Sequence, residues 1–246
     1  MSWIRNRGRI AGLVYLSMIF TGPLTLIYIP NKLFVPGNAA ATAANIAAHD
    51  TLFRIGMFVD LVEGLQALAF TLVVCLLFRH VDRIQAMLVV IFGGVIVAAI
   101  YFVNDINYAG ALLFARGADF LSVFPKPQRD AFAMLFVRLH HYGVLVNSVF
   151  WGLWLIPLAI LLYKARAIPR VIQVWLFLNA IPYLALSFTG IIFPGREGRV
   201  WDLLMPLTWG ELAVMLWLIV KGSKPEPIAI PVPAPVIETP LNQRPD

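Results

Sequence analysis

The sequence predicts an all-α, polytopic membrane protein, a bundle of about six transmembrane helices with both termini in the cytoplasm. Three observations carry that expectation. Of the 246 residues 60% are hydrophobic and only 13% charged, about half the charged share of an ordinary soluble domain. Mean hydropathy is +0.81. Six apolar runs each approach the ~20 residues that cross a bilayer, more than one soluble core of this size could hide.

Taken in order, the runs cover 10–29, 55–78, 84–103, 142–163, 171–193 and 203–220. The first follows Arg5, Arg7 and Arg9 and imitates a secretory signal. It is too long for a signal's apolar segment and lacks a small-residue cleavage site, so it reads as a span. Between the first two runs, Asn38 stands before the alanine-rich stretch 39–48, an N-cap followed by a short surface helix. Pro125 and Pro127 place an external loop over 116–129, with the fourth helix starting near Asp130. Pro23, Pro157, Pro182 and Pro206 lie inside runs and should kink them. Residues 1–222 form one six-helix domain in this reading. Residues 223–246, with prolines at 225, 227, 231, 233, 235, 240 and 245, cannot sustain a helix and read as a disordered cytoplasmic linker.

The net charge of +6 would point to nucleic acid in a soluble chain. Here the basic residues sit between apolar runs, where they set topology and meet lipid headgroups, so membrane lipids and not nucleic acid are the expected partners. Arg79, Arg83, Lys164, Arg166 and Arg170 crowd the short loops on the side of the N-terminus, and that side carries 11 of the 19 Lys and Arg residues. It is therefore assigned to the cytoplasm. The single Cys75 excludes a disulfide framework.

Ionisable groups inside spans are expensive and mark the candidate site. Asp60 and Glu63 on the second helix stand three residues apart and share a face, continued by Gln66. Asn104 and Asp105 end the third run, Arg138, His140, His141 and Asn147 belong to the fourth, and Glu211 to the sixth. At 1.5 Å per residue, Glu63 lies ~24 Å from the Arg79 level and Glu211 ~15 Å from the Lys221 level. Most of these groups thus fall in the outer half, with Glu211 alone near the midplane. Arg138 is the natural partner for one of the acids. His140 and His141 are adjacent and diverge by about 100° on a helix, so they do not form a shared metal grip, and no metal or cofactor is assigned. No HExxH, GxSxG, P-loop or GxGxxG pattern occurs.

Five segments carry a family resemblance: Val35-Pro36-Gly37-Asn38 with the alanine stretch after it, Phe53-Arg54-Ile55-Gly56, Leu139-His140-His141-Tyr142-Gly143, Ile168-Pro169-Arg170 and Gly210-Glu211-Leu212. Together they resemble the bacterial family labelled domain of unknown function 4386, over nearly the whole chain except the tail. The resemblance implies a multi-span protein of the bacterial inner membrane and no particular reaction, substrate or cofactor.

The leading expectation is a protein that binds or transports a small molecule or ion through an outward-facing polar pocket. In it Asp60 and Glu63 would hold the ligand, Arg138 would balance charge, and a histidine would tune protonation. An intramembrane enzyme would use the same acids as general base and a histidine as general acid on a lipid-like substrate. Tight packing without a cavity would instead mark a structural subunit.

Overall fold

The computed structural model describes residues 2–222. Six helices among them are long and apolar enough to span a membrane: α1 (Arg9–Leu33), α3 (Asp50–Phe78), α4 (Arg83–Arg116), α5 (Lys126–Lys164), α6 (Arg170–Ile192) and α7 (Glu197–Lys221). The short α2 (Ala39–Ala48) begins as expected, with the Asn38 carboxamide oxygen accepting from the Ala41 N–H at 2.9 Å. The proline-rich segment 223–246 lies outside the described residues.

Helix ends follow local chemistry more than hydrophobicity. The third run continues thirteen residues beyond its expected end at 103, because nothing breaks the helix until Gly117, which takes the left-handed conformation (φ 67°) and closes it. Asn104 and Asp105, read from the sequence as the rim of a span, are interior turns of α4. The fourth helix starts at Lys126 instead of near Asp130, since Pro127 occupies its first turn, where a missing N–H does no harm. Pro157 and Pro182 deny donors to the carbonyls of Leu153 and Leu178, and the helices break at Trp154 and Asn179. Pro23 introduces a π-helical turn over Leu24–Tyr28, while Pro206 is accommodated within a continuous helix.

Consecutive spans pack side by side, α1 on α3, α3 on α4, α4 on α5, α5 on α6 and α6 on α7, and α7 returns to α1, closing a ring. Arg9 donates to the Val220 carbonyl at 3.5 Å, so the two ends of the described chain share one face, called here the terminal face. Beneath that face an apolar core gathers Tyr15, Phe70, Val74, Leu155, Leu158, Leu162, Leu176, Val214 and Leu218. A second, smaller core of Ile29, Leu33, Ile46, Phe53, Tyr108, Leu112 and Val137 fills the opposite end. There α2 lies across α4 and α5. Exposed residues such as Phe20, Phe58, Val103, Ile106, Val171 and Leu203 clothe the outside of the ring, as a lipid-facing surface requires.

At the terminal face, the turn before α4 is tied to the end of α5. Asp82 caps α4 by accepting from the Gln85 N–H at 3.0 Å, and the Lys164 ammonium lies 2.6 Å from its other oxygen. The lysine contact, then the backbone bonds, hold this carboxyl below its ordinary value of 3.8. A depressed acid adds stability above its unfolded pKa and loses it as pH falls through the folded value. Asp82→Asn should therefore lower the melting temperature in mild detergent at pH 7, and the gap from wild type should close below about pH 3.8. A gap constant from pH 7 to pH 3 would show that the carboxylate charge is not what links the two turns.

Candidate functional site

Between the two apolar cores lies a polar layer. Asp60 and Glu63 are only 2% and 4% exposed, because the stripe they share on α3 turns into the ring. His140 reaches the layer from α5, its Nε2 3.2 Å from Asp60 Oδ2. The imidazole is stacked on Tyr108, with ring centroids 3.4 Å apart and planes tilted by 10°. Tyr108 also belongs to the apolar core at the α2 end, so one ring forms both the floor of that core and the ceiling of the histidine. The acids are thus closed over, not open to the outside.

Asn104 sets the position of α5. Its Nδ2 donates to the His140 carbonyl at 2.9 Å, and its Oδ1 accepts from Asn107 at 3.0 Å. The carboxamide occupies the space that a Cβ on Gly143 would need, which is why the helices approach closely at that residue. Next to it, Asp105 is buried with its Oδ1 unpartnered, and it lies near enough to Asp60 for their charges to interact. Asn147, one turn beyond Gly143 on α5, is likewise buried with an unpartnered Oδ1.

Glu63 faces α1. The Thr25 hydroxyl donates to its Oε1 at 3.3 Å, and the Tyr101 phenol reaches it from α4. One turn towards the terminal face, Thr21 donates to Gln66 Oε1 at 3.2 Å and Gln66 Nε2 donates to Ser17 Oγ at 2.9 Å. Ser17, Thr21 and Thr25 are spaced by four, so their hydroxyls form one column on α1 opposite the Glu63 and Gln66 stripe. Composition masked this column, since three hydroxyls scarcely alter the hydropathy of a span. The spacing of four was the available signal.

Glu211 sits at a deeper level and has its own shell. It accepts from the Tyr15 hydroxyl, from Tyr183 at 2.8 Å and from Asn179 Nδ2 at 3.3 Å. Asn179, at the break in α6, also donates to the Thr208 carbonyl. Aromatic contacts connect the two levels: Tyr101 to Trp151 at 6.2 Å and Trp151 to Tyr183 at 6.0 Å between ring centroids.

Seven of the nine sequence candidates therefore line the interior: Asp60, Glu63, Asn104, Asp105, His140 and Asn147 in one layer and Glu211 below it. Arg138 and His141 do not join them. With His140 turned inward, residues 138 and 141 fall about 200° and 100° away on the helix. Arg138 is exposed and makes no ion pair with either acid, so the expected charge balance by Arg138 is not what the structure has. His141 is about half exposed and lies 3.6 Å from Glu197 at the start of α7. Among the described residues, no group of three or more His, Cys, Asp or Glu is arranged to hold a metal ion.

Fold and interior together define a multi-pass helical membrane protein built as a closed ring around a buried carboxylate layer. Residues 10–222 match the model of the family described as Domain of unknown function (DUF4386), and the chain belongs to that family. No curated protein and no solved structure matches it.

Gly143→Ala should force the Asn104 carboxamide out of its seat and break its bond to the His140 carbonyl. The expected destabilisation is about 1–3 kcal/mol, the scale of overpacking in a tight core, read as a lowered melting temperature in detergent. Gly198→Ala, where a methyl group meets open space, is the matched control. Equal melting temperatures for the two variants would mean that this close approach does not position α5.

Proposed function

We propose that the protein binds a proton in the Asp60, Glu63, Asp105 and His140 layer and carries it across the bacterial inner membrane, with the terminal face in the cytoplasm. One observation bears the weight of this reading. Three carboxyl groups share a buried layer with a single side chain able to become cationic, His140. Two uncompensated carboxylates in a low-dielectric interior would cost several kcal/mol each, so the layer is stable when protons offset its charge. The unpartnered oxygens of Asp105 and Asn147 are acceptors suited to such an occupant.

The dimensions of the layer favour a small ligand. Tyr108 lies flat on His140 and Asn104 is wedged against Gly143, which leaves no room for a lipid-like substrate between them. That argues against the intramembrane enzyme. Towards the terminal face, the Ser17 and Thr21 hydroxyls, held by Gln66, and separately the Tyr101 and Tyr183 phenols and the Glu211 carboxyl, supply hydrogen-bonding O–H groups and a carboxylate along which a proton can be relayed. At the other end the core under α2 covers the acids, so access from that side requires α2 and Tyr108 to move. The described arrangement is the occluded member of such a cycle.

The test is flux into liposomes loaded with a pH-sensitive dye, with a potassium diffusion potential set by valinomycin. The full chain should admit protons faster than protein-free liposomes. Glu63→Gln and Asp60→Asn should return the rate to the protein-free level, while Arg138→Gln should leave it unchanged. Proton entry should be indifferent to external sodium. A proton-entry rate equal to that of protein-free liposomes, or radioactive sodium uptake without proton entry, would overturn the proposal.

A further inference from the structure

The turn between α5 and α6, on the terminal face and remote from the carboxylate layer, forms an open cleft of about 570 Å³ lined by Tyr163, Lys164, Arg166, Pro169, Arg170 and Gln173. Among the described residues that line it, the charged side chains are all basic, and Lys164 is paired with Asp82 at its edge. The first N–H groups of α6 open at the same place, because Pro169 stands at the N-cap and provides no capping side chain. Cations and uncapped helical N–H groups together favour a phosphate oxygen. The turn joins two spans, which puts the cleft at the depth of lipid headgroups.

Gln173 makes the cleft more selective than a basic patch. It is 5% exposed, and its Nε2 donates to the carbonyls of Ile168 at 2.7 Å and Leu162 at 3.3 Å. Those two bonds fix the orientation of the amide, because a flipped amide would set oxygen against oxygen. Gln173 lines the cleft, and its buried Oε1 has no donor among the described residues; a buried acceptor left so costs about 1–3 kcal/mol. A fully ionised phosphodiester group, which offers only acceptors, does not satisfy it by itself. A phosphate ester that also carries a hydroxyl or ammonium group does.

We propose that this cleft is a binding site for a phosphorylated headgroup bearing its own hydrogen-bond donor, with the phosphate on Lys164, Arg170 and the start of α6 and the donor on Gln173 Oε1. Such a headgroup reaches the cleft either from a membrane glycerophospholipid or as a soluble glycerophosphate. Arg170 is exposed in the first turn of α6, so it can be replaced without disturbing the core.

Native mass spectrometry of the detergent-purified full chain separates the alternatives. Phosphatidylglycerol and phosphatidylmethanol carry the same charge, but only the first has headgroup hydroxyls. Wild type should retain phosphatidylglycerol about tenfold better, the scale of one hydrogen bond to a buried acceptor. Arg170→Gln should weaken that retention by about tenfold at an unchanged melting temperature, and Arg199→Gln, at the opposite face, should not. If soluble glycerol 3-phosphate displaces the lipid at similar concentrations the source is a soluble ester, and if it fails to do so the source is the membrane. Equal retention of the two lipids, or equal behaviour of the Arg170 and Arg199 variants, would overturn the site.

Discussion

Hydrocarbon offers no hydrogen bonds, and every polar group carried into it must bring a partner. In this protein the pairing of His140 with Asp60 is where that requirement is most severe, and the rest of the ring is organised around meeting it. Asn104 holds the α5 backbone at the height that lets the imidazole reach the carboxylate. Gly143 permits the approach, and Tyr108 closes over the ring. These constraints come from two neighbouring helices, α4 and α5. None is strong alone, but together they leave the histidine one position.

The same rule explains the contrast between the two buried glutamates. Glu211 has three donors converging on one carboxyl, a saturated shell that favours permanence. Glu63 has the Tyr101 phenol, the Thr25 hydroxyl and Thr21 beside it, but it shares its layer with two further acids. A carboxyl ringed by neutral donors locks helices, whereas one crowded by other acids is the kind the proposed exchange requires. Pro23 with the π-helical turn after it in α1, and a second π-helical turn in α4, lie on the helices that pack against the second kind of site, where departures from regular helix commonly gather.

Much of this was legible in the sequence. Apolar run lengths give the number of spans, and Asn38 before an alanine stretch gives α2. The spacing of Asp60, Glu63 and Gln66 gives the inward face of α3. The phase of α5 was legible too, since placing His140 inside sends Arg138 and His141 outside, yet the attraction of opposite charges obscured it. Helix ends were harder. Asn104 and Asp105 depress hydropathy as a loop would, and only Gly117, thirteen residues later, has the chemistry that stops a helix. Tyr15, Tyr101 and Tyr183 were hidden for a related reason: phenols count as apolar until a partner from a distant helix makes them donors. No local pattern encodes that partner.

The closure of the ring places a demand on how the protein is made. Tyr15 and Glu211 lie 196 residues apart in the chain, and α1 and α7 are neighbours only after every intervening span has entered the bilayer. The partner of the Tyr15 phenol thus arrives only with the last span, whereas Gln66, the partner of Ser17 and Thr21, lies on the next spanning helix in the chain. The hydroxyl column joins the first helix to a near neighbour in sequence, and the tyrosine joins it to the most distant one. The seam between α1 and α7 is the final joint of the ring, and its hydrogen bond joins the beginning of the chain to its end.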